Sequence, residues 1–301
     1  SYNTEEIQKI LNKLEYKRKD FNISSIKYSG INFNLKNKPK ALILVFSGTN
    51  CEYDTSRAFS KAGFETEIFI IKTLNRDLLN QSIEECSKKI LESQVLSLPG
   101  GFSMGDEPDG SGKFIASFLR TEQIKESIEK HLEKKNLILG ICNGFQALLK
   151  SGLLPYGKIV ESKENDPTLV QNLIGNHVSR FVHCKVLPNK SAWHLITDFD
   201  KIYFIPISHG EGRFFASKEV CFNLFENNQV TSIYVTEEGE PAIEFPDNPN
   251  GSIYSIESII SPDGLILGKM GHSERVVNGR IKNIDGIASE PIFESARKYF
   301  G

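Results

Sequence analysis

The chain reads as an α/β protein built on a mostly parallel sheet with helices on both faces. Two observations predict this. Apolar strand-like runs alternate with helical patterns of about 10–18 residues through the first half of the chain. Two unusual loops, Pro99-Gly100-Gly101-Phe102-Ser103 and Cys142-Asn143-Gly144, follow two of those runs, at the carboxyl strand ends where such sheets bind ligands.

The elements follow in order. Residues 5–18 predict a short charged helix with Ile7, Ile10, Leu11 and Leu14 on one face. A polar stretch through 32–40 carries little apolar material, so 1–38 is expected to be a lead-in outside the main core, the tail of a preceding domain. Residues 39–301 are expected to form one domain. A buried strand is predicted at 41–46, and Thr49 and Asn50 are placed to cap a helix running to Ala62. A strand at 67–71, a helix at 77–91, a strand at 95–98, a helical region at 114–132 and a strand at 137–141 follow. Beyond residue 152 the texture changes to shorter β-like runs, at 181–187, 202–207, 230–236, 242–245 and 265–270. A final helix over 293–299 is announced by Ser289 as cap and Pro291 in the first turn. The extra short strands therefore belong to the C-terminal half.

Composition narrows the class. With 301 residues and 39% of them hydrophobic, the chain can bury a large core. A net charge of −2 makes no electrostatic case for nucleic acid or an anionic membrane surface. No apolar run approaches the roughly 20 residues needed to cross a bilayer. The polar, acidic opening Ser1-Tyr2-Asn3-Thr4-Glu5-Glu6 lacks the pattern of a secretory signal. The five cysteines, Cys51, Cys86, Cys142, Cys184 and Cys221, are scattered, and none pairs as C-x-x-C. No metal site is expected, and a reducing cytoplasm is the expected home. The sequons at Asn22, Asn80, Asn189 and Asn250 are then chance matches.

The chemistry centres on Gly140-Ile141-Cys142-Asn143-Gly144, where an apolar run turns directly into a helical pattern. This is the layout of a nucleophile elbow, in which flanking glycines let the backbone pass closely. Unpaired N–H groups at the helix start favour the thiolate. Taken alone, G-x-C-x-G fits a buried structural cysteine equally well. A nucleophile needs a base and the base an orienting group. Of the six histidines, His131 lies in the charged stretch 129–135 and is expected to be solvated. His272 follows an apolar strand and stands two residues before Glu274; in an extended segment both face one side, so Glu274 can orient His272 toward Cys142. Pro99-Gly100-Gly101 can free a backbone N–H which, with that of Asn143, would form an oxyanion hole. Gly110-Ser111-Gly112-Lys113 suggests a phosphate loop, but Glu107 and Phe114 stand where that loop needs Gly and Ser/Thr, and Asp106 and Asp109 add repulsion.

Several segments in order carry a resemblance: Phe46-Ser47-Gly48-Thr49-Asn50-Cys51-Glu52, Pro99 to Ser103, Gly140 to Gln146, Ser208-His209-Gly210-Glu211-Gly212-Arg213-Phe214, Asn248-Pro249-Asn250-Gly251-Ser252 and Met270-Gly271-His272-Ser273-Glu274-Arg275. Together they resemble the class I (triad-type) glutamine amidotransferases and, more narrowly, the glutaminase part of phosphoribosylformylglycinamidine synthases. The run from Gly101 to Phe114 is similar to the single-chain form, in which this domain ends a larger synthase. Departures are Ser273, where many relatives have proline, and Met104.

The resemblance implies a flavodoxin-like open sheet. It implies Cys142 as nucleophile, His272 as proton relay, Glu274 as orienting carboxylate, and the N–H groups of Gly101 and Asn143 as oxyanion hole. Gly100, Gln146, Ser208, His209, Gly210 and Glu211 would bind glutamine; Asn248–Ser252 fits a turn as well as a site. No cofactor is expected in this chain, while ATP and Mg²⁺ would belong to a synthetase portion, the expected partner. Two other readings stay open: a free-standing hydrolase of γ-glutamyl or other small amides, and a non-catalytic binding module.

Overall fold

The computed structural model describes residues 4–19, 38–103, 111–276 and 281–301. Asn22, most of the 1–38 segment, and Met104, Asp106, Glu107, Asp109 and Gly110 lie outside the described residues.

A nine-stranded sheet organises the molecule. Its strands are β1 (Lys40–Val45), β2 (Glu65–Ile70), β3 (Val95–Leu98), β4 (Leu137–Ile141), β6 (Val178–Val186), β7 (Ile202–His209), β9 (Val230–Val235), β10 (Ile256–Ile260) and β11 (Ile266–Lys269). A separate ribbon pairs β5 (Thr168–Val170) with β8 (Arg213–Phe215). The main order is β2-β1-β3-β4-β11-β10-β9-β6-β7. From β2 to β11 every pairing is parallel, and from β11 to β7 every pairing is antiparallel. Apart from the β5–β8 ribbon, the C-terminal strands thus extend the same sheet.

The helices are α1 (Thr4–Lys19), α2 (Glu52–Ala62), α3 (Arg76–Glu92), α4 (Lys113–Leu119), α5 (Glu122–Glu133), α6 (Asn143–Ser151), the short α7 (Leu153–Tyr156), α8 (Lys218–Glu226) and α9 (Ile292–Tyr299). The β1–α2–β2 connection steps one way along the sheet and β2–α3–β3 the other. Right-handed crossovers then put α2 and α3 on opposite faces. β3 and β4 are buried along their whole length, as parallel strands covered on both sides must be.

Some expectations change. The region 114–132 is two helices, broken at Arg120 and Thr121. Residues 242–245 form no strand: Pro241 makes an isolated bridge to Val235, and Phe245 is exposed. Pro291, rather than Ser289, caps α9. Within the lead-in, α1 is not outside the core, because Ile7 and Leu11 join the main apolar cluster and Glu6 accepts a hydrogen bond from Tyr254. His131 is fully buried rather than solvated. It falls in register with Ile124 and Ile128 on the inner face of α5, and its ring nitrogens meet the carbonyls of Ile90 and Leu137 at 3.0 and 3.1 Å.

Candidate active site

β4 and β11 are neighbours in the sheet, in register from Ile138↔Ile266 to Ile141↔Lys269. Their carboxyl ends deliver Cys142 and His272 side by side, and the ends of β1 and β3 add the loops carrying Cys51 and Gly100.

Cys142 is the N-cap of α6 and holds φ 52°, ψ −104°, a backbone shape that costs a non-glycine residue on the order of 1–3 kcal/mol. Close packing enforces it. A Cβ on Gly144 would lie 1.9 Å from the Leu98 carbonyl oxygen, so only glycine lets α6 start this close to β3. The Cys142 N–H donates to the Lys269 carbonyl at 2.8 Å, tying the elbow to β11.

The His–Glu pair forms by a route different from the expected extended segment. Ser273–Arg275 is one turn of 3₁₀ helix with His272 at its N-cap. That turn folds Glu274 back, so His272 Nδ1 lies 2.7 Å from Glu274 Oε1, with both side chains buried. Burial pushes the Glu274 carboxyl up, but the charge and hydrogen bond of His272, its own backbone and Arg275 together outweigh this and hold it below its ordinary value. The ionised carboxylate accepts the Nδ1 proton and fixes the tautomer. The other ring nitrogen, Nε2, is buried with no hydrogen-bond partner among the described residues.

Gly100 provides the space between the two. A Cβ placed there would come 2.8 Å from His272 Cε1, 3.1 Å from Cys51 Sγ and 3.5 Å from the Cys142 Cβ. Gly101 bridges to Thr49 and has φ 153°; a side chain there would strike the Thr49 backbone at 2.6 Å.

The thiol does not follow the sequence expectation. Burial raises the Cys142 pKa first, with Cys51 and Glu274 adding to it, and this exceeds the lowering by Arg275 and the Asn143 backbone. Burial thus holds Cys142 as a thiol, and any nucleophilic role for it would call for a base. Cys51 was not foreseen here: it is buried, accepts a 2.8 Å hydrogen bond from Arg275 and lies 4.0 Å from His272 Nδ1, with its pKa pushed up to about 12, chiefly by burial.

The remaining expected residues gather around this centre. Gln146, one turn into α6, donates to the Glu211 carbonyl at 2.7 Å and accepts from Asn143 Nδ2 at 2.9 Å. The Ser208 carbonyl lies 3.7 Å from Cys142 Sγ, and its hydroxyl is 3.0 Å from His177 Nε2. His209 is buried, and burial pushes its pKa down to about 3. Its neutral ring donates through Nδ1 to Asn172 Oδ1.

Asn172, which no motif signalled, also accepts the Gly212 N–H, donates to the His209 carbonyl and, through its backbone N–H, to that of Gly210, so it shapes the whole 208–212 turn. Asn250 donates to the Gly212 carbonyl from behind, and Asn248 accepts from the Gly251 and Ser252 N–H groups. The 248–252 segment therefore buttresses the turn.

Residues 38–300 match the family described as CobB/CobQ-like glutamine amidotransferase domain. Phosphoribosylformylglycinamidine synthase subunit PurQ of Methanococcus maripaludis is 36% identical over 247 residues, covering 80% of this chain and 84% of the relative. The subunit of the same name from Dehalococcoides mccartyi is 36% identical over 244 residues, covering 80% and 87%. The solved structure of PurLQS from Thermotoga maritima aligns with a TM-score of 0.58 at 28% identity, covering 87% of this chain and 96% of that one. The chain thus belongs to the CobB/CobQ-like glutamine amidotransferase family, as an α/β enzyme of the kind found in phosphoribosylformylglycinamidine synthases.

Proposed function

We propose that this chain hydrolyses glutamine through a thioester on Cys142 and hands the ammonia to an ATP-dependent synthetase portion, which converts formylglycinamide ribotide to its amidine in purine biosynthesis. The observation carrying this reading is the convergence of Cys142 with the His272–Glu274 pair at the ends of adjacent parallel strands.

The steps follow from the atoms available. Cys142 Sγ attacks the side-chain carbonyl carbon of glutamine while its proton passes to His272 Nε2. The oxyanion takes hydrogen bonds from the N–H groups of Gly101 and Asn143. His272 returns the proton to the departing nitrogen, ammonia leaves, and a γ-glutamyl thioester remains. Water, deprotonated by His272, then attacks the thioester carbonyl and releases glutamate, and His272 returns that proton to the departing Cys142 sulfur. Glu274 stays a carboxylate throughout, holding the ring. In this reading Gly100, Gln146 and the turn of Ser208, His209, Gly210 and Glu211 would bind the glutamine, supported by the contacts of Gln146 with Glu211 and of Ser208 with Cys142.

ATP and Mg²⁺ belong to the synthetase portion in this reading, whether that portion is a separate subunit or precedes residues 1–38 in one polypeptide. An open groove of about 790 Å³ runs beside the site, past His177 and Arg275, with exposed Ile174, Phe245 and Ile284 along it. It is a fitting seat for such a partner.

The test is glutamine hydrolysis with and without the synthetase portion, its nucleotide and its ribotide. A rise of more than tenfold, or about 1.4 kcal/mol in barrier, is expected on adding them. Full activity without any response would favour the free-standing hydrolase.

A further inference from the structure

We infer that Lys269, Glu257 and Glu290 form a buried charge cluster that positions the catalytic base; the inference rests on the proposed roles of Cys142 and His272. The three side chains are 1%, 0% and 2% exposed. Lys269 Nζ lies 2.8 Å from Glu290 Oε1 and 3.4 Å from Glu257 Oε1. Glu257 comes from β10, Lys269 ends β11, and Glu290 stands just before α9.

What the cluster grips is specific. Lys269 Nζ donates to the Gly271 carbonyl at 3.0 Å and to the Ser273 hydroxyl at 2.9 Å. Glu257 Oε1 accepts the Gly271 N–H at 2.7 Å. Both chain neighbours of His272 are therefore clamped by one ammonium and one carboxylate, and the His272 N–H is held by the Pro206 carbonyl at 2.8 Å. The backbone carbonyl of Lys269 accepts the N–H of Cys142. One residue thus fixes the nucleophile through its main chain and the base through its side chain.

Energetics point to the same use. A fully buried ion cluster is an expensive way to gain stability, because desolvation offsets most of the attraction. Two of its carboxylate oxygens, Glu257 Oε2 and Glu290 Oε2, make no hydrogen bond among the described residues, so the cluster is not optimised even for its own satisfaction. Its return is geometric: a 3₁₀ turn of three residues has little rigidity of its own, and the clamp supplies it. These residues are positioning residues, since none touches the reacting atoms.

The test compares Lys269→Met, Glu290→Gln and His272→Ala in the full-length protein with its synthetase portion, by steady-state glutamine hydrolysis and thermal denaturation. Lys269→Met keeps length and bulk but removes the clamp; kcat is expected to fall at least about tenfold with KM within about twofold, because misplacing a catalytic group costs rate rather than binding. Wild-type kcat in a folded Lys269→Met protein, or a change confined to KM, overturns the inference. Should Lys269→Met fail to fold, the milder Glu290→Gln decides: a kcat loss at constant KM supports positioning, and wild-type kcat refutes it. His272→Ala must be inactive; if it is active, the base assignment itself fails, and the clamp inference falls with it.

Discussion

At Cys142, backbone shape and electrostatics act in different directions. The elbow thrusts the thiol forward in a strained conformation, while burial holds it protonated. Selectivity for substrate-like reagents follows, because the proton leaves only when something occupies the site and His272 can receive it. A glutamine-analogue electrophile is expected to label Cys142 alone, read by peptide mass mapping. Cys86 and Cys221 are buried with pKa values near 12, and Cys51 faces a His272 nitrogen already engaged by Glu274. Labelling at Cys51 or Cys184 would contradict the assignment. His272→Ala should lose hydrolysis nearly as completely as Cys142→Ala, and Glu274→Gln should keep more, since an orienting group contributes less than the base; wild-type turnover by His272→Ala would shift attention to His209. That Cys142, His272 and Glu274 come together was legible because they sit in short contiguous motifs. The surroundings of Asn172 and Cys51 and the ion pairing of Lys269 were not, because the groups they meet come from segments distant in sequence. One signal was available: a lysine closing the apolar run Leu265-Ile266-Leu267-Gly268 has no solvent to reach if that run is buried.

Among the elements, the parallel half was readable because β1, β3 and β4 are apolar runs isolated by helices, and strand boundaries shifted only by a residue or two. The antiparallel half was harder. Ile256-Glu257-Ser258-Ile259-Ile260 hid β10 behind a carboxylate that only the fold neutralises, while β5 and β8 span three residues each. The elbow helix depends on close approach, so Gly144→Ala is expected to destabilise the protein by about 3 kcal/mol or to disorder the α6 start, measured by chemical denaturation and loss of hydrolysis together. Helix α5 carries a pH dependence. Burial pushes the His131 pKa from 6.5 down to about 4, against the raising effect of its two carbonyl partners. The folded state thus resists a proton that the unfolded chain accepts. Stability from this residue is full above pH 6.5, declines as pH falls toward 4 and levels off below, a loss on the order of 3 kcal/mol. Unfolding free energy measured across that window should slope accordingly, and His131→Gln should flatten part of it.

For the whole molecule, the arrangement of strands matters more than any one of them. The change from parallel to antiparallel pairing occurs at β11, so the strand that leads into His272 is also the seam between the two halves of the sheet. Its neighbour β4 is translated far earlier. On the ribosome, the elbow cysteine emerges and waits beside an open sheet edge until the last part of the chain supplies β11, the His272 turn and finally Glu290. A chain interrupted anywhere in that interval holds Cys142 without the histidine proposed as its base, and non-local pairing of this kind is slow to form. The order of synthesis therefore separates in time the two residues proposed as nucleophile and base: Cys142 is made first, and its proposed partner only after the antiparallel strands have followed.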